Sequence, residues 1–193
     1  MYASFYVSIA GYLLGLSLAA PPGPVNAIIM NESSKSAFHG ASVGAGAMTA
    51  DAIFLVVLYF VKDSIPHWIF KYLYIVGAAY MLFLATSVLR AKMPSRSQRG
   101  NYLVGISVGI TNPFQIVWWV TVGLFLIEKL TFISVLFFFL GIATWITVFP
   151  ITVYRFGRDY TNVVKFVSFS VLVAFSALMI FYALQDFFPF HGF

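Results

Sequence analysis

Asp51 is the residue of this chain best placed to do chemistry. It lies in Thr49-Ala50-Asp51-Ala52, ten residues from each end of the apolar run 41–61, and no other carboxylate sits well inside such a run. A carboxylate at the centre of a bilayer costs roughly 2.5–3.5 kcal/mol on insertion scales. Ionisable groups at that depth face the bundle interior and mark a substrate or proton path. No basic residue lies at a similar depth, so a proton or a bound cation is the natural partner. The competing reading is a structural carboxylate hydrogen-bonded to a neighbouring helix.

Two proline breaks come next. Pro21-Pro22-Gly23-Pro24 interrupts the first apolar stretch, and Asn112-Pro113 interrupts the fourth. Proline removes a backbone donor and clashes with the preceding turn. Backbone groups freed at membrane depth must be met by protein, by a water-lined cavity or by a ligand. A half-helix that starts after such a break turns its positive end to the site and favours a carboxylate. Asn26 and Asn112 stand beside the breaks with amide donors and acceptors. The candidate substrate site is therefore Pro22, Gly23, Pro24, Asn26, Asn112 and Pro113, with Asp51 as the proton-coupling group. A packing kink is the plainer alternative.

Other residues leave two readings open. Glu32, beside the first break, either helps select an amine or is a solvated loop residue. Trp118 and Trp119 either line a pore and stack on a cation or face lipid. Gly40, Gly44, Ala45, Gly46, Ala47 and Ala50 let helices approach closely. His39, His67 and His191 have no metal-site spacing. Trp68, Tyr72, Tyr74 and the aromatic tail 187–193 suit membrane interfaces.

Lipid must be the solvent for the elements that carry these residues. Of 193 residues, 61% are hydrophobic and 9% are charged, against about 25% charged in a soluble domain. A fold of this size cannot hide so much apolar surface from water. Apolar runs at 5–20, 41–61, 68–89, 102–127, 132–153 and 163–184 predict six membrane helices, each near the roughly 20 residues a span needs. No Lys or Arg precedes Lys35, which argues against a cleaved signal peptide. The net charge of +5 reflects topology rather than nucleic-acid binding. Lys35, Arg90, Lys92, Arg96, Arg99, Arg155, Arg158 and Lys165 fall on one side, and Lys62, Lys71 and Lys129 on the other. The eight belong in the cytoplasm, so both termini face outward. The absence of cysteine rules out thiol redox chemistry and thiolate metal sites.

The chain reads as one transmembrane domain, 1–193, in two halves: 1–90, a cytoplasmic connection 91–101, and 102–193. Each half opens with a helix broken by proline. A three-span unit repeated in tandem enters the membrane upside down the second time, as in the inverted repeats of secondary transporters. Gly11-x-x-x-Gly15 and Gly105-x-x-x-Gly109 precede the two breaks.

The ordered set resembles the lysine-exporter superfamily, particularly its amino-acid and homoserine/threonine efflux members. Pro22-Gly23-Pro24 ends the first span. Gly40, Gly44 and Gly46 lead to Asp51. Gly77-Ala78-Ala79-Tyr80 and Leu89-Arg90 mark the third span, and Gly105 with Asn112-Pro113 marks the fourth. Departures are Ala50 in place of the family's usual Gly, Phe114 and Gln115 where a Lys and a small residue are common, and a missing Pro-Gln after the fourth span.

The resemblance implies an exporter of small metabolites, amino acids or related zwitterions, in a prokaryotic cell membrane. The chain has no nucleotide-binding loop, so transport must run on a gradient, with proton antiport the simplest scheme for one membrane carboxylate. A metal-cation exporter of the same superfamily is an alternative, although the oxygen ligands are few for a hard cation. A non-transporting accessory protein is another. An intramembrane enzyme is disfavoured, because an aspartyl dyad needs two deep carboxylates. The expected partners are a small-molecule substrate and the bilayer, with a homodimer left open; neither nucleic acid nor a cofactor is expected.

Overall fold

A computed structural model describes residues 2–21, 23–90, 100–156 and 161–187, and every regular element among them is helical. Helix α1 (Tyr2–Ala19) and α2 (Pro24–Ser33) form a pair bent by 79°. Next come α3 (Ala37–Val61), a 3-10 turn (Lys62–Ser64) and α4 (His67–Arg90). A second bent stretch follows: α5 (Tyr102–Thr111), α6 (Pro113–Trp118), a π-helical turn (Trp119–Gly123) and α7 (Leu124–Lys129), with a 60° change of direction at the break. The long helices α8 (Phe132–Phe156) and α9 (Thr161–Phe187) complete the described fold.

Local chemistry sets these boundaries. Pro24 and Pro113 each begin a helix, where a missing N–H costs nothing. Ser36 caps α3 by accepting from Phe38 N, and Asn101 caps α5 by accepting from Val104 N at 3.0 Å. Hydroxyls inside the helices are satisfied by the carbonyl one turn earlier, as in Thr144 to Leu140 and Thr147 to Ala143.

Three helical units among the described residues, Ala37–Ser64, His67–Ser87 and Phe132–Phe156, are long and apolar enough to cross a membrane. Counting each bent pair as one span raises the number to five. Helix α9 holds a shorter apolar stretch, Phe169–Gln185. The protein is thus an all-helical multi-pass membrane protein. Its outer surface is apolar: Phe38, Phe60, Trp68, Leu103 and Phe132 are all exposed. Most of the connection 90–101, including Lys92, Arg96 and Arg99, lies outside the described residues.

The closest pairings are α1 with α8, α3 with α5, and α4 with α9. In the first two, glycines let backbone meet backbone. A Cβ at Gly11 or Gly15 would fall on the backbone of Ser134 or Phe138, and one at Gly141 on that of Tyr12. Likewise Gly46 meets the backbone of Tyr102, and Gly105 that of Val43. Such small-residue contacts bind helices where no hydrophobic force acts between them. Polar bonds cross both interfaces: Ser134 donates to Val7 O at 3.1 Å, and the hydroxyls of Thr49 and Tyr102 lie 2.8 Å apart.

Candidate functional site

A cavity of about 190 Å³ opens between the two breaks and the centre of α3. One water needs only about 10–15 Å³ by a comparable measure, so the space suits a small organic molecule. Gly23, Pro24, Asn26, Asp51 and Asn112 all line it. Five of the seven residues singled out from sequence therefore meet at one place. Pro113 begins α6 but does not line the cavity, and Pro22 lies outside the described residues.

Asp51 is 4% exposed. Its Oδ1 accepts from Gln115 Nε2 at 2.6 Å and from Trp119 Nε1 at 2.8 Å. Gln115 and Trp119 are one helical turn apart, so both point to the same oxygen. Both donors are neutral, and among the described residues no Lys, Arg or His lines the cavity. Oδ2 accepts no hydrogen bond from any described group.

Both asparagines are engaged by the breaks beside them. Asn26 Nδ2 donates to Ala19 O at 2.6 Å and to Pro21 O at 2.8 Å, closing the end of α1. Its Oδ1 accepts from Trp145 Nε1 at 3.1 Å, which ties the first break to α8. Asn112 Oδ1 caps α6 by accepting from Phe114 N at 3.1 Å. The start of α2 has no such side-chain cap. Tyr80 lines the cavity from α4 and donates to Phe114 O at 2.5 Å.

Glu32 is not a solvated loop residue. It is 4% exposed, pairs with Lys35 at 2.7 Å, and accepts from Gly100 N at 3.0 Å. It fastens the α2–α3 turn to the chain just before α5. Trp118 and Trp119 are fully buried and face protein rather than lipid. Trp118 lines the cavity, and its Nε1 is a buried side-chain nitrogen with no hydrogen-bond partner. Among the described residues, no group of three His, Cys, Asp or Glu could hold a metal ion.

Sequence reasoning did not assign Gln115 or Trp145 to the site, and it left Trp119 open. A signal for Gln115 and Trp119 existed: a polar residue deep in an apolar stretch, one turn from a Trp, just past a break.

A bent, apolar helical bundle around a small cavity that holds a few polar groups is the build of a membrane translocator. The LysE type translocator family matches residues 16–185, and the chain belongs to this family. Members are transporters that move solutes across a membrane. The chain is also 32% identical over 119 residues to a Bacillus subtilis (strain 168) protein named "Putative amino acid efflux protein YcgF". That match covers 55% of this chain and 57% of the relative. No solved structure matches the chain.

Proposed function

We propose that this protein exports amino acids or related zwitterions from a prokaryotic cell, exchanging them for protons at Asp51. The observation that carries this reading is a buried carboxylate on a cavity wall with only neutral partners. A carboxylate without a fixed counter-ion can alternate between holding a proton and releasing it as the cavity opens to either side. The relative's name, which describes amino acid efflux, supports the direction and the solute class.

Six spans in two inverted halves, with both termini outside, complete the reading. The packing supports this symmetry. The glycine interface of α1 with α8 has a counterpart in that of α5 with α3. The residue two places after each helix-starting proline, Asn26 or Gln115, reaches to the second span of the other half, at Trp145 or Asp51. In α3 Asp51 follows Gly46 by five places, and in α8 Ile146 follows Gly141 by the same number. These correspondences support two halves built on one frame, of which the first carries the charge. A metal-cation cargo gains no support from a cavity whose one carboxylate is Asp51.

The test is efflux from vesicles under an imposed pH gradient, wild type beside Asp51→Asn at matched expression. Asn is nearly isosteric but cannot ionise. The variant should insert and fold yet lose uphill efflux. Equal gradient-driven rates would reduce Asp51 to a packing residue.

A further inference from the structure

We infer that the substrate is an amino acid with an uncharged, apolar side chain, its ammonium group seated on Asp51 Oδ2 and its carboxylate against the uncapped start of α2. This inference rests on the amino-acid export reading and narrows it to a substrate class.

Three observations carry the inference. Asp51 has one oxygen held by two donors and one that accepts nothing, and it lines the cavity. A free carboxylate oxygen in a space without basic residues is a seat for one cationic group, and for one alone.

The complementary group is at the first break. Helix α2 spans ten residues, begins at Pro24, and has no side-chain cap, whereas α6 is capped by Asn112. Ala27 N donates to Gly23 O at 2.9 Å, and Val25 and Asn26, both on the cavity wall, stand in that first turn, where helix amides attract an anionic oxygen. Trp118, another residue lining the cavity, has a buried indole N–H that lacks an acceptor.

Leu18, Met48, Leu84, Ile142 and Ile146 make much of the remaining wall apolar, and its other polar side chains, among them Ser17, Tyr80 and Ser87, carry no charge. Once the α-ammonium occupies Asp51, a second charge on the substrate has no partner, and burying it unpaired is costly. Lysine and glutamate are disfavoured by this one circumstance, and an aliphatic side chain fits.

The experiment is equilibrium binding to the purified full chain in detergent, with L-leucine, L-lysine and L-glutamate. Two stripped analogues, isopentylamine and 4-methylpentanoate, lack the carboxylate and the ammonium respectively. Leucine should bind at least about tenfold more tightly than each of the other four, because each leaves a charge or a site group unpaired. In Asp51→Asn its advantage over 4-methylpentanoate should vanish; a retained advantage would move the ammonium seat elsewhere. Lysine or glutamate binding as well as leucine would overturn the inference while leaving amino-acid export standing. Either analogue matching leucine would overturn the two-point seat. If no amino acid binds and none leaves loaded vesicles, the export reading itself fails, and the inference with it. The wild-type comparisons decide the substrate class without any variant.

Discussion

Gln115 donates to Oδ1 of Asp51 at 2.6 Å, from just past the second break to the middle of α3. Trp119 donates to the same oxygen from one turn further on. The carboxylate is held in place by neutral groups that orient it without cancelling its charge. A lysine at either position would form a fixed ion pair and remove that freedom.

Gln115→Leu keeps side-chain bulk and removes one donor. A hydrogen bond to a charged group contributes about 1.5–3 kcal/mol, so gradient-driven efflux should fall by about tenfold or more while the protein still inserts. Transport assays at matched expression check this, and an unchanged rate would mean that Trp119 alone sets the orientation.

Asn26 does structural work at the first break. Asn26→Leu leaves the carbonyls of Ala19 and Pro21 without their side-chain donor. Each unmet buried group costs about 1–3 kcal/mol, so the purified variant should melt several degrees below wild type. Trp145→Phe loses one bond to Asn26 but can keep a ring against Phe149, now 4.8 Å between centroids. It should therefore be the milder of the two.

Two glycines should answer substitution in opposite ways. Gly46→Val would drive a side chain into the backbone of Tyr102 and separate α3 from α5. Overpacking of this kind costs at least about 1–3 kcal/mol, and the yield of monodisperse protein should drop sharply. Gly23→Ala meets nothing closer than Pro21 O at 3.9 Å, on an extended backbone that any residue adopts. Its thermal stability should match wild type.

Topology is open to a direct test, since the chain has no native cysteine. A Ser95→Cys variant should resist an impermeant thiol reagent in intact cells and react once the membrane is opened. Labelling in intact cells would reverse the assignment of both termini to the outside.

The apolar runs located the helices to within a few residues, because a bilayer demands length and hydrophobicity and both can be counted. Helix α3 was expected at 41–61 and begins at Ala37, where Ser36 supplies a cap. The meeting of Gly23, Asn26, Asp51 and Asn112 was legible because breaks and a lone carboxylate are costly in lipid. The partners were harder to foresee. Gln115 and Trp119 find Asp51 only through the bend between α5 and α6. Asn26 was legible as a polar group at a break, but its use in closing α1 depends on the path of the turn. The burial of Glu32 depends on Gly100, sixty-eight positions away, which no local pattern announces.

Where α1 meets α8 and α3 meets α5, glycines bring backbone onto backbone. Contacts of that kind lock the register, because a shift along the helix would bring a residue with a side chain onto the partner's backbone. The α4–α9 interface is built differently. Met179 fills the space over Gly77, and Ser176 donates to Ala78 O at 2.9 Å. That pair is fastened by side chains, whereas the two glycine interfaces act as notches, each also carrying a polar bond, Thr49 to Tyr102 or Ser134 to Val7.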